Sequence, residues 1–309
     1  MKIKLIKFNS ILFFLFLTLS LNAHADFDEI VIFGDSFSDT GNLASIRGPF
    51  PNSPFFEASR VSNSPVAVEG LAKKLDLSID PSMHLVAGAG GSNFSVAGAS
   101  ASGDRPIDLS NQVAAYLLQT AGVASKNSLY VMFIGTNDLR VARDVSRKDS
   151  KTKLKAAVAT IKQQLLVLIS AGAQNIMVIN APNIGALPET RLLAAQTKNK
   201  RLVKQSKKLS KQFNKRLANQ IKRIEKSTGV DLVLFDLFSY LQKILVNSKA
   251  LGFTNTTDAC FSIVNESFNP NCEFGQRFDE HLFFDENHIT GRVHERVSRA
   301  LYAEVPEAL

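Results

Sequence analysis

The chain of 309 residues has no tryptophan and only two cysteines, Cys260 and Cys272. A zinc ribbon or an iron–sulfur centre needs more thiolates than that. His-Glu-x-x-His does not occur, and no His/Cys/Asp group stands at metal-ligand spacing, so no metal and no cofactor is expected. Gly-x-Ser-x-Gly is also missing, which excludes the nucleophile elbow of the α/β-hydrolase fold. There is no internal repeat and no Pro/Ser-rich linker. Charged residues make up 21% and apolar residues 45%, a balance that argues against disorder and against a polytopic membrane protein.

What is present begins with an address. Lys2, Lys4 and Lys7 precede an apolar run from Ile11 to Leu21, and Ala23-His24-Ala25 forms a small-x-small cleavage pattern. Spanning a bilayer takes about 20 apolar residues, more than this run offers. Residues 1–25 therefore read as a secretory signal peptide, and 26–309 as one domain working outside the cytosol, in the periplasm or beyond the cell. No later stretch reads as a membrane span. In an oxidising compartment the isolated pair Cys260 and Cys272 is expected to form a disulfide, worth about 3 kcal/mol on the chain-entropy model.

Short apolar runs alternate with longer helical patterns. Residues 29–33, 128–134, 175–179 and 230–235 read as buried strands, while Lys151 to Ala171 and Thr197 to Lys226 read as helices. Strands apolar on both sides, separated by helices, predict an α/β fold: a central, mainly parallel sheet in a three-layer α/β/α sandwich. Gly34-Asp35-Ser36, Gly135-Thr136-Asn137-Asp138 and Asn180-Ala181-Pro182-Asn183 each follow a strand. Ligands of open α/β sheets bind where such loops meet, at the carboxyl ends of the strands.

Ser36 lies in Phe33-Gly34-Asp35-Ser36-Phe37-Ser38-Asp39-Thr40-Gly41-Asn42, between a strand and a predicted helix N-terminus. His288 lies in Phe284-Asp285-Glu286-Asn287-His288-Ile289. The three-residue spacing lets Asp285 hold Nδ1 and leaves Nε2 free to accept a serine proton. His84, His281 and His294 lack such a partner, and solvated or helix-surface positions are expected for them.

These strings resemble the GDSL, or SGNH, hydrolase family, in four ordered blocks across nearly all of 26–309. The first holds Ser36. Asn93-Phe94-Ser95-Val96-Ala97-Gly98-Ala99 is similar to the second, Gly135-Thr136-Asn137-Asp138 to the third, and Asp285 with His288 to the last. The resemblance implies a flavodoxin-like SGNH fold, Ser36 as nucleophile, His288 as base and Asp285 as its orienting partner. It implies that the Gly98 N–H and the Asn137 side chain, with the Ser36 N–H, bind the oxyanion. Asp138 reads as a helix cap, and Asp35, Asp39 and Asn42 as loop braces. Gly252 to Cys260 and Gln212-Phe213-Asn214-Lys215-Arg216-Leu217 resemble segments of the secreted bacterial phospholipase A and lysophospholipase A branch, which includes glycerophospholipid:cholesterol acyltransferases. That branch implies acyl-ester cleavage of lysophospholipids or phospholipids, with acyl transfer to a sterol as a variant. An esterase for acetylated carbohydrates or short esters is one alternative, and a non-catalytic lipid-surface module is another. The departures are Phe284 and Ile289 where the family has tryptophan and proline, Ala97 and Ser95 where glycine and alanine are common, and Ser62-Asn63-Ser64-Pro65, which lacks the glycine often seen after asparagine.

The net charge of +8 is unevenly spread. The leader holds three lysines, and Lys198 to Lys226 holds twelve Lys/Arg against Glu225, which leaves the rest acidic. Leu202, Leu209, Phe213, Leu217, Ile221 and Ile224 form an apolar stripe on this helix. Its lysine face reads either as plain solvated surface or as a contact with anionic membrane. Interleaved aromatics are missing, so nucleic acid is not expected as a partner. The loop from Cys260 to Cys272, with Phe261, Ile263, Val264 and Phe268, reads as a lid or as a staple.

Overall fold

The computed structural model describes residues 27–50, 54–86 and 90–305. The proposed leader lies outside the described residues. The first strand, β1 (Glu29–Gly34), is followed by α1 (Asn42–Arg47), α2 (Ala67–Lys74) and α3 (Leu109–Gln119). Then come β2 (Ser128–Phe133), α4 (Thr136–Arg143), α5 (Arg147–Ala171), β3 (Asn175–Ile179), α6 (Pro188–Gln196), α7 (Leu202–Thr228), β4 (Leu232–Phe235) and α8 (Leu237–Val246). The chain closes with β5 (Asn255–Ala259), β6 (Phe261–Ser262), β7 (Ser267–Phe268), β8 (His281–Phe283) and α9 (Gly291–Tyr302).

The first four strands form a parallel sheet in the order β1-β2-β3-β4. Ile32 pairs with Val131, Val131 with Met177, and Met177 with Val233. All six residues of β2 are buried, as a strand covered on both faces requires. On the free side of β1 the chain returns at Asn93, which makes a parallel bridge to Ile32. From β1 the path thus runs outward to Asn93 through α2, then back across β1 to β2 through α3. Right-handed crossovers in opposite directions put their helices on opposite faces. Accordingly α3, α5 and α7 pack side by side, while α2 pairs with α9. Tyr240 of α8 donates to the Arg296 carbonyl of α9, which adds α8 to that second layer. The fold is the expected α/β/α sandwich.

Element boundaries differ from the sequence reading in instructive ways. The expected helix over 197–226 starts only at Leu202, because Lys198 takes a φ of 54° and the chain turns there between α6 and α7. Helix α5 starts earlier than expected, at Arg147, where the Ser146 hydroxyl accepts the Asp149 N–H. By length and composition α5 could cross a membrane, contrary to the sequence reading. Its buried residues, Leu154, Ala157, Val158, Ile161, Leu165 and Leu168, recur at helical spacing, and it packs on α3, α4 and α7. It covers the sheet.

The stripe on α7 packs as read, apart from Leu209, which is half-buried. Phe213 fills the space beneath Gly135, whose φ of 116° opens the turn into α4. A Cβ there would come within 2.5 Å of the Phe213 ring, so that turn needs glycine. A second, smaller cluster of Phe50, Val61, Ala97, Phe261 and Phe284 sits under the loops. Cys260 and Cys272 are disulfide-bonded with Cα atoms 5.1 Å apart, which closes the β6–β7 hairpin beside this cluster.

Candidate active site

The turn after β1, the loop after Asn93 and the turn after β2 meet at the point where the chain path reverses across the sheet. This is the switch point at which α/β sheets bind ligands. The Ser36 Oγ lies 2.7 Å from the His288 Nε2. His288 Nδ1 lies 2.7 and 2.8 Å from the two oxygens of Asp285. Asp285 Oδ1 also accepts the N–H groups of Asn287 and His288, each at 2.7 Å. A carboxylate held by its own turn sets the tautomer: Nδ1 carries the proton, and Nε2 is left to accept one from serine. Ser36 keeps only 8% exposure, so the hydroxyl sits in a largely dry setting where hydrogen bonds and charges act strongly.

No helix N-terminus stands directly behind Ser36, against expectation. Residues 35–39 make one tight turn, with the Ser38 and Asp39 N–H groups on the Asp35 carbonyl, and α1 begins only at Asn42. Burial pushes the Asp35 carboxyl up to about 7, although the Phe37 N–H opposes this. Its Oδ2 is buried without a partner among the described residues.

Gly98 has a φ of 85°, a conformation that a Cβ would strain. Asn137, in the first turn of α4, donates from Nδ2 to the Ala99 carbonyl at 2.8 Å. Its second Nδ2 hydrogen is a further donor on the amide that meets the Gly98–Ala99 loop. The amide is oriented from behind, because Arg140 Nη1 donates to Asn137 Oδ1 at 3.1 Å. Arg140 is clamped by Glu189, through Nε at 3.0 Å and through a short Nη2 contact, and Glu189 also takes Arg143 Nη1 at 2.7 Å. Burial raises the Glu189 pKa, but the hydrogen bonds and charges of the two arginines outweigh it and hold the carboxyl at about 2.

A polar web ties the loops together. Asp39 accepts the N–H groups of Gly41, Asn42, Leu43 and Ala97, and so brings the Ser36 turn to the Gly98 loop as the bracing role required. Asn42 donates to the Asn93 and Ser95 carbonyls, and Asn93 donates back to the Ser38 carbonyl and Thr40 Oγ1. Asp138 is not a helix cap. It accepts the Ala101 and Ser102 N–H groups and the Ser102 hydroxyl, thereby anchoring the Gly98 loop.

The remaining histidines are not solvated. His281 is buried in β8 with Nδ1 on the Arg277 carbonyl, and His294 is buried where α9 meets α2, with Nδ1 accepting the Ala67 N–H. Half-buried His84 leans on Ser82 Oγ at 2.6 Å. Their missing carboxylate partners suggested solvent, but backbone groups took that place at His281 and His294 and a serine hydroxyl at His84. His281 lies with Cys260 and Cys272 in a group whose ligand atoms fall within 4.8 Å. The disulfide occupies both sulfurs, so this is not a metal site.

Arg140, Glu189 and Asp138's anchoring role escaped the sequence reading. Arg140 stands three residues beyond Asn137, which puts both on one helix face. Glu189 is 49 residues from Arg140, and nothing local links them.

The model of the family described as GDSL-like Lipase/Acylhydrolase matches residues 30–301. The phosphatidylcholine-sterol acyltransferase of Aeromonas hydrophila is 26% identical over 238 residues, which cover 76% of this chain and 66% of that protein. A GDSL esterase/lipase of Arabidopsis thaliana is 25% identical over 345 residues, covering 94% of this chain and 90% of its own. Among solved structures, a catalytic mutant of an acetylxylan esterase from Geobacillus stearothermophilus aligns with a TM-score of 0.46 at 14% identity, covering 90% of this chain and 93% of that one. A match that runs from the first strand of the sheet into the last helix, past every loop of the site, establishes that the chain belongs to the GDSL-like lipase/acylhydrolase family.

Proposed function

We propose that the chain cleaves acyl esters of lysophospholipids and phospholipids through an acyl-enzyme intermediate. The unbroken line from Ser36 Oγ through His288 to Asp285 supports this reading most directly. Ser36 Oγ attacks the acyl carbonyl while its proton passes to His288 Nε2. Asp285 stabilises the imidazolium that results. The negative charge on the carbonyl oxygen meets the Ser36 and Gly98 N–H groups and the Asn137 amide. His288 then protonates the departing alcohol oxygen. Water repeats the sequence in reverse: His288 takes its proton, hydroxide attacks the acyl carbon, and Ser36 leaves with the proton returned. A sterol hydroxyl in place of that water gives acyl transfer.

The lipid substrate is supported by the likeness to an acyltransferase named for phosphatidylcholine and sterol. A cationic groove of about 440 Å³ between α6, α7 and α8, with Arg191, Lys200, Lys204 and Lys207 on its walls, supports contact with anionic membrane. Export, to the periplasm or beyond, is supported by the leader pattern and by the disulfide. Ser36→Ala is expected to lower lysophosphatidylcholine hydrolysis at least about a thousandfold, with circular dichroism and melting temperature kept. A panel of lysophosphatidylcholine, diacyl phospholipid and acetylated xylan, assayed on purified 26–309, tests the substrate. Faster turnover of the acetylated sugar would overturn the lipid reading, and full activity of Ser36→Ala would overturn the mechanism.

A further inference from the structure

A hollow of about 410 Å³ opens between α4, the first turns of α5 and the first half of α7. It shares Arg143 with the Glu189 clamp and no other residue with the Ser36 site. Arg143 of α4 lines it, already paired with Asp144 and Glu189, and three further cations stand on its walls, Arg147 and Lys151 from α5 and Lys208 from α7. None of the three has an ion-pair partner among the described residues, and no acidic side chain lines the hollow. Val145, Leu202 and Leu209 supply apolar wall.

Each of these features constrains an occupant. Three unneutralised cations around one hollow attract an anion and repel a cation. The aliphatic wall favours a hydrocarbon chain over a hydrated polar ligand. The volume sits at the small end of ligand pockets, which suits one chain better than the two of a diacyl lipid. We propose that this hollow binds a single-chain amphiphile with an anionic head, the head on Arg147, Lys151 and Lys208 and the chain against Leu202 and Leu209. A fatty carboxylate and a chain bearing a phosphate head share that chemistry.

Neither probe is a carboxylic ester, so binding is read on wild-type protein without turnover and independently of the substrate proposed above. Calorimetric titration with decanoate, decyl phosphate and decyltrimethylammonium is the test. One saturable site for decanoate, decyl phosphate or both is expected, and whichever head binds tighter identifies the source. The cationic analogue is expected not to bind. Combining Lys151→Gln with Lys208→Gln should weaken binding about tenfold or more. Leu209→Trp, which fills the hollow, should abolish it, and Lys222→Gln with Lys226→Gln, at the far end of α7, should leave it unchanged. Turnover of a short soluble ester by each variant reports that the fold is retained. Absence of saturable binding by both anions, equal binding of the cation, or binding that survives Leu209→Trp overturns the proposal.

Discussion

Asn137 has two ways to turn its amide, and only one presents the NH₂ group to the Gly98–Ala99 loop. Arg140 selects it by donating to Oδ1, and Glu189 holds Arg140 in place. An amide that is oriented before substrate arrives spends nothing on reorganisation during the reaction. Arg140→Leu is therefore expected to lower kcat on a soluble ester about tenfold, less than the loss of an oxyanion donor itself. KM should stay close to wild type, and Arg140→Lys should recover part of the rate. Glu189 keeps Arg143 as partner in these variants, so the melting temperature should move little. An unchanged kcat in Arg140→Leu would sink this role. At this scale the sequence disclosed the three groups that the structure brings into one line and hid their supports. Ser36, Asp285 and His288 stand in short strings whose spacing has a chemical meaning. The clamp from Glu189 exists only because α6 is brought against α4.

Between elements, the junction of α2 and α9 shows how a histidine can be structural. The Ala67 N–H is one of the donors left open at the start of α2, and His294 Nδ1 accepts it. Burial, with the charge of His288 adding to it, lowers the His294 pKa to about 3, and burial lowers that of His84 to about 4. In the unfolded chain both titrate near 6.5, so the unfolded state binds more protons below that value. Their contribution to stability is present above pH 6.5 and is lost as the pH falls from there toward 3. Asp35, raised to about 7, acts the other way, and its contribution is lost as the pH rises toward 7. Urea unfolding of wild type at pH 7 and pH 5 should therefore carry a loss from His294 of about 2 kcal/mol. His294→Asn keeps an acceptor but does not titrate, and should lose correspondingly less over the same interval. Identical pH dependence of the two proteins would refute this. The same junction explains why exposure was misjudged for His294. Its position on α9 reads as helix surface until α2 is laid against it.

For the whole molecule, the sequence assigned the positive charge to one helix, and the structure divides that charge. The lysines of α7 do not share one open face. Lys204 and Lys207 face the groove shared with α6 and α8, where Lys207 donates to Gln242. Lys208 faces the hollow against α5, and Lys211 lies over the Phe238 ring. The proposed membrane contact therefore falls on the groove. Changing Lys200, Lys204 and Lys207 to glutamine should lower binding to phosphatidylglycerol vesicles by about a hundredfold at low salt, at about 1 kcal/mol per cation near the surface. Added salt should erase the difference. Cosedimentation measures it, and equal binding by the variant refutes the assignment.

The sequence by itself determined the layer architecture, because strands buried on both faces must be apolar throughout and their covering helices must be striped. It also singled out Asp285 and His288 as a pair, since a carboxylate three residues before a histidine forms a local unit that needs no distant partner. Contacts between segments far apart in sequence were decided only by the tertiary structure. The anchoring of the Gly98 loop by Asp138, the clamp on Arg140 and the hollow between α5 and α7 are all of this kind. Each depends on which surfaces the reversal of chain direction at β1 brings together, and no local pattern of residues encodes that.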